Sequence, residues 1–165
     1  GRRPLPYAVA MHRRDEIRMS EQELAAFLAE QRTVIVATLG RDGWPHLMPL
    51  WYVVRDGELW SWTYARSQKA RNIERDDRVT LQVEAGEQYH ELRGVMVKAR
   101  VRRHRDLDTV TAFGLELFRR YGGGGELAPE VEAMVRAQAP KRVVLQFVPV
   151  APPVTWDHRK LGGAY

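Results

Sequence analysis

Six short strand-forming runs, separated by tight turns and a few helical stretches, limit this chain to a narrow set of folds. Thr33-Val-Ile-Val-Ala-Thr-Leu39 is β-branched throughout most of its length and reads as a buried strand. Gly40-Arg-Asp-Gly43 is a turn. Residues 45–54 form a second strand, with Pro45 at its start and Pro49 inside it. An internal proline has no N–H to give a ladder, so it marks a bulge or an edge. Asp56-Gly57 is a hairpin turn, and residues 58–64 return as the third strand. Residues 78–84, 92–103 and 141–150 are the fourth, fifth and sixth. In the fifth, Val95, Val97, Ala99 and Val101 alternate with Met96, Lys98 and Arg100, the period of a half-exposed strand.

Helices fill the gaps between these runs. One opens at Ser20, where Ser20 and Glu23 make a capping box and Leu24, Phe27 and Leu28 share a face. A short one covers residues 67–75. Two more, at 106–121 and 129–139, are joined by Gly122-Gly-Gly-Gly125. Mostly sequential hairpins with inserted helices favour a mainly β fold, an antiparallel barrel with peripheral helices. Residues 20–165 are expected to form a single domain after a basic, proline-containing arm at 1–19.

Composition removes several classes of function. At 165 residues the chain suits one domain with one substantial core. It has no cysteine, which excludes disulfides, thiolate metal sites and cysteine nucleophiles and fits a cytoplasmic location. No apolar run approaches the ~18 residues of a membrane helix. Arg2-Arg3 is not followed by an apolar segment, so no secretory signal is expected. His12, His46, His90, His104 and His158 lack metal-ligand spacing, so no metal is expected. No serine sits in a nucleophile elbow, and no Lys-Ser or Lys-Thr follows the glycine run. The net charge of +5 leaves room for an anionic ligand. No basic stripe with spaced aromatics points to nucleic acid.

The chemistry concentrates in Trp60-Ser-Trp-Thr-Tyr-Ala-Arg-Ser-Gln-Lys-Ala-Arg-Asn72, an aromatic strand running into a helix that opens at Ser67. Free N–H groups and the dipole at a helix start favour an anion. Ser67 can cap that helix or donate to a phosphate, Lys69 adds a mobile positive charge, and Arg66 and Arg71 stand beside them. A capped surface helix with solvated cations is the alternative. Trp60, Trp62 and Tyr64 fall on one face of the strand, as core or as the edge of a slot for a flat ring. The tail Trp156-Asp-His-Arg-Lys-Leu161 reads either as a docked terminus or as an arm reaching a neighbouring subunit's site.

From about residue 20 to 161 the chain resembles the split-barrel flavin and deazaflavin oxidoreductases related to pyridoxamine phosphate oxidase. The resemblance rests on Thr33–Leu39, Gly43-Trp-Pro-His46, Met48-Pro-Leu-Trp-Tyr52, Asp56-Gly-Glu-Leu59, Ser67-Gln-Lys-Ala-Arg-Asn72, Arg93-Gly-Val95 and the tail, in order. It implies a six-stranded antiparallel split β-barrel that forms a homodimer with its cofactor at the interface. Leu47, Met48, Pro49, Leu50, Trp51 and Tyr52 would line the ring system. Trp62 and Thr63 would border the ring and ribityl chain, Ser67 and Lys69 would hold the phosphate, and Arg66 and Arg71 would assist with an anionic tail. Trp156 and Arg159 would come from the second subunit. The C-terminal Arg-x-His pair of the true oxidase is missing, which speaks against pyridoxamine phosphate oxidation. The Ser-x-Lys-x-x-Asn segment and the tail look more like the branch using the deazaflavin coenzyme F-420, with FMN as the alternative cofactor. The implied activity is hydride transfer to a small conjugated organic substrate, and the alternative is a non-catalytic binding protein. No catalytic residue is assigned; a proton could come from Tyr52, His158 or water.

Overall fold

The computed structural model describes residues 14–162, so most of the expected arm, His12 and Tyr165 lie outside the described residues. The elements are α1 (Glu21–Glu30), β1 (Thr33–Leu39), β2 (Pro45–Trp51), β3 (Val53–Arg55), β4 (Glu58–Tyr64), α2 (Gln68–Arg75), β5 (Arg78–Ala85), β6 (Arg93–His104), α3 (Leu107–Tyr121), α4 (Pro129–Gln138), β7 (Arg142–Pro149) and β8 (Val154–Asp157). The capping box at α1 forms reciprocally: the Glu23 N–H donates to Ser20 Oγ at 3.1 Å, and the Ser20 N–H donates to Glu23 Oε1 at 3.1 Å. The β3–β4 hairpin turns through Asp56 and Gly57 at φ 50° and 77°, the left-handed pair that such a two-residue turn requires.

Every ladder is antiparallel, in the order β2-β1-β5-β6-β7-β4-β3, and β8 adds to β6. The expected second strand is broken at Tyr52. The Tyr52 N–H donates to the Tyr121 hydroxyl at 3.0 Å and its carbonyl accepts from the Arg120 guanidinium, so α3 replaces the missing ladder partners. The two halves pair differently, β2 with β1 and β3 with β4. One stretch of chain therefore joins both ends of the sheet and curls it into the split barrel expected above. The tail supplies the other additional strand, β8.

Two cores result. Val34, Val36, Leu81, Val83, Val95, Leu145 and Phe147 fill the barrel, with Phe27 and Leu28 of α1 and Ile73 of α2 packed into the same cluster. Burying each such side chain contributes about 1.5–3 kcal/mol. Outside β4 and β7, Val110, Phe113 and Leu117 of α3 pack with Val135, Trp62 and Val144. Glycine at 114 permits this approach, since a Cβ there would lie 2.5 Å from the Trp62 indole. Trp60, read above as core or as the edge of a slot, is half-buried: it stacks on His104 at 5.2 Å and carries Arg55 over its face at 4.7 Å.

Candidate functional site

The junction of β4 and α2 gathers the residues that can hold an anion. The Ala70 N–H donates to Ser67 Oγ at 3.1 Å, so Ser67 is the N-cap of α2. The helix is fixed to the barrel by Ala70 and Ile73 and by a polar tether. Asn72 Nδ2, fully buried, donates to Thr38 Oγ1 at 3.0 Å, and Gln68 Nε2 donates to Asn72 Oδ1 at 2.9 Å. These contacts set where the free N–H groups of the first turn point. Lys69 folds back along β4, where Nζ donates to Thr63 Oγ1 at 3.2 Å, and Thr63 Oγ1 lies 3.3 Å from Ser67 Oγ.

Lys69 is 9% exposed and takes part in none of the ion pairs among the described residues. Burial, and then the positive charge of Arg142, pull its amine below the usual lysine range. Arg142 opens β7 opposite Tyr64, and its guanidinium lies 3.7 Å from the Tyr64 ring centroid and 4.8 Å from that of Trp62. By register Arg142 shares the outer face of β4 with Trp62, whereas Lys69 meets Thr63 on the barrel face; a buried cation beside a helix N-terminus, in no ion pair among the described residues, favours an anion.

An apolar strip accompanies this spot. Leu47, Met48, Pro49 and Trp51 of β2 are exposed, whereas Leu50 is half-buried against the barrel core. Trp51 stacks flat on Tyr121, with centroids 4.3 Å apart and planes 9° from parallel, and meets Phe118 edge-on at 5.8 Å. Ser61 Oγ donates to the Trp51 carbonyl at 2.5 Å, which ties this strip to β4.

Several expected residues have other surroundings. The Tyr52 phenol does not face the site: its ring is fully buried, its hydroxyl donates to the Leu28 carbonyl at 2.7 Å, and burial pushes its pKa up to about 12. Its side chain is a core residue, and its backbone N–H and carbonyl are engaged by α3. The Trp62 indole is likewise under α3 rather than at an open edge. Arg66 and Arg71 are exposed, and Arg71 lines a cleft of about 520 Å³ with Arg41 and Arg75. Trp156 docks on its own barrel: it pairs with Gly94, where an added Cβ would lie 2.5 Å from the indole. Arg159 donates to both carboxylate oxygens of buried Asp157, at 2.9 and 2.7 Å, and holds that acid below its ordinary range. His158 Nδ1 sits 2.9 Å from the Tyr89 carbonyl.

Sequence reasoning missed Arg120 and Tyr121, which matter only because α3 ends beside the break in the second strand, and no local motif marks either of them.

The chemistry of this donor set fits a phosphorylated planar cofactor: a buried cation at a helix start for the phosphate, and exposed apolar and aromatic side chains for the ring. Among the described residues there is no cluster of three or more histidine or carboxylate side chains able to hold a metal ion. No helix of the described residues is long and apolar enough to cross a membrane.

Comparison with known proteins places the fold in a family. Residues 20–151 match the model of the pyridoxamine 5'-phosphate oxidase family, so the chain belongs to that family. A solved structure of the conserved hypothetical protein Rv2991 from Mycobacterium tuberculosis is 41% identical, with a TM-score of 0.80 over 89% of this chain and 90% of that one. An F-420 reductase is 25% identical, with a TM-score of 0.60 over 76% of this chain and 92% of that one. A FAD-binding protein from Mesorhizobium loti shares the fold at 19% identity, with a TM-score of 0.61 over 83% of this chain and 94% of that one. No curated protein sequence matches.

Proposed function

We propose that this protein is an oxidoreductase that uses the deazaflavin coenzyme F-420, and that it works as a homodimer with the cofactor at the subunit interface. The observation that carries this reading is Lys69, a buried cation without a carboxylate at the N-terminus of α2. The chemistry such a cofactor supplies is hydride transfer to a small electron-poor or conjugated acceptor. The protein's own part is to bind, orient and exclude water. Lys69, Ser67 and the first N–H groups of α2 hold the phosphate. Thr63 keeps Lys69 in place through its hydroxyl. Leu47, Met48, Pro49 and Trp51 give the ring an apolar bed, and Tyr121 holds the Trp51 plane.

The same strip supports the homodimer reading. Leu47 is 58% exposed and Trp44 75% exposed, a large apolar surface for a monomer to leave in water. A second subunit laid across β2 covers it and brings Trp156 and Arg159 of the partner subunit to the ring. Sedimentation of the purified protein tests this, and a monomer at micromolar concentration contradicts it.

The similarity to an F-420 reductase supports F-420 over FMN, as do Arg66 just before α2 and Arg71 on it, both exposed where they can meet an anionic tail. FMN is the second reading, because the same donor set accepts its phosphate. Titration with F-420 and FMN side by side decides between them. The reduced complex is then offered a panel of enones and quinones; tight binding with no oxidation of the cofactor by any of them supports a carrier rather than an enzyme.

A further inference from the structure

We propose that a further cleft, on the outer face of the sheet where β1, β5 and β6 meet the end of β7, is a binding site for an amphipathic monocarboxylate. It uses none of the residues that the cofactor reading assigns.

Register brings the lining side chains to one face. Arg78 pairs with Arg100 and Thr80 with Lys98 across β5 and β6, and Thr80 pairs with Ala37 of β1. Leu39 and Pro45 are partners across β1 and β2, two positions along from Ala37. Side chains alternate along a strand, so all of these point away from the barrel core, opposite to buried Val36, Val79 and Ala99. The Val150 N–H donates to the Lys98 carbonyl at 3.0 Å, which brings a side chain that is 58% exposed to the same end. The cleft holds about 570 Å³, within the range of about 300–1,000 Å³ common for small-molecule sites. Its shape follows from side-chain size. Ala37 and Thr80 are short and make the floor, whereas Leu39, Pro45 and Val150 supply apolar walls.

The charges around it are uneven. Like charges directly opposite on a sheet repel, and Arg78 and Arg100 are such a pair. Each is held by an acid from the link between α2 and β5. Arg78 donates to both Asp76 carboxylate oxygens at 3.0 and 2.7 Å, and Arg100 Nη1 donates to Asp77 Oδ1 at 2.6 Å. Lys98 is exposed, and its amine takes part in no ion pair among the described residues. Three cations against two acids leave one positive charge beside an apolar floor. A single carboxylate balances that charge through charge-assisted hydrogen bonds from Lys98 and the unengaged guanidinium N–H groups, and an apolar body covers Ala37 and the walls.

Calorimetric titration of the full-length protein with octanoate, octylammonium and acetate tests this. The first two share an apolar chain and differ in the sign of their charge, and the third has the charge without the chain. Octanoate is expected to bind about tenfold or more tighter than either. Lys98→Gln is expected to weaken octanoate roughly fivefold, the size of one exposed ion pair, and Lys98→Glu to weaken it further. If circular dichroism shows that Lys98→Glu is unfolded, the decision passes to Lys98→Gln. Lys69→Met, and saturation with F-420 or FMN, are expected to leave octanoate affinity unchanged. An absence of octanoate binding, as in a cleft closed by a second subunit, overturns the proposal. Equal binding of octylammonium does the same, because it makes the cleft a plain apolar surface, and so does an octanoate affinity that the folded Lys98 variants leave unchanged. Octanoate that F-420 or FMN displaces, or that Lys69→Met loses, lies at Lys69 and also overturns it.

Discussion

Replacing Lys69 with methionine separates binding from folding, because the charge that serves the ligand is a burden to the empty protein. Lys69 is 9% exposed, and burial and then Arg142 lower its pKa. A lysine with a folded pKa below its unfolded value destabilises the fold wherever it is charged. Stability rises as pH climbs from the folded pKa toward the unfolded value of about 10.4. At pH 7 the unliganded Lys69→Met protein is therefore expected to melt no lower than the unaltered one, since methionine keeps much of the stem and removes the charge. The liganded proteins differ. A cofactor at a hundred times its Kd adds about 2.7 kcal/mol, or ~5–11 °C in Tm at roughly 2–4 °C per kcal/mol for a chain of this size. Losing one charge-assisted contact costs about 1.5–3 kcal/mol, roughly a 10–150-fold weaker Kd. Taking ~50-fold, the same cofactor concentration is then only about twice the Kd and adds ~0.65 kcal/mol, a shift of ~1–3 °C. Thermal unfolding followed by circular dichroism, with and without F-420 or FMN, reads both numbers. A drop of more than about 5 °C in the unliganded Tm makes Lys69 a structural residue. An undiminished ligand shift removes it from the phosphate site.

Three further outcomes are expected. Gly94→Val drives a side chain into the Trp156 indole and toward the Val83 carbonyl, 2.5 and 2.7 Å from the added Cβ, and should lose about 1–3 kcal/mol in urea unfolding as β8 lifts from β6; an unchanged midpoint contradicts the docked tail. Asp157 is held below its ordinary pKa mainly by Arg159, so its contribution is present above the unfolded value of about 3.9 and fades as pH falls through the folded one. Asp157→Asn should flatten the fall in Tm between about pH 5 and 2, and an unaltered acid slope counts against the pair. Arg120→Met leaves the carbonyls of Gln31, Leu28 and Tyr52 without their cationic donor, and should cost about 2–4 kcal/mol in urea unfolding and alter Trp51 fluorescence. A variant within ~0.5 kcal/mol of the parent refutes the bracing role given to α3.

What neighbouring residues dictate was legible in the sequence. The β-branched run of β1, the alternation along β6, the Asp56-Gly57 turn, the Ser20–Glu23 capping box and the Ser67 cap each depend on φ, ψ and side chains a few positions apart. That was enough for a mainly β barrel with peripheral helices and for an anion-favouring helix start. The tertiary structure decided everything that depends on register and burial. It broke the second strand at Tyr52, because α3 offers donors and an acceptor there, and it turned that phenol into core. It set Arg142 across from Tyr64 on the outer face of β4 and brought the Lys69 amine to Thr63 on the other. A lysine's spacing shows that it can carry charge, but only folding withdraws it from water without an ion-pair partner, and that buried charge is what supports the reading of the β4–α2 junction as an anion site.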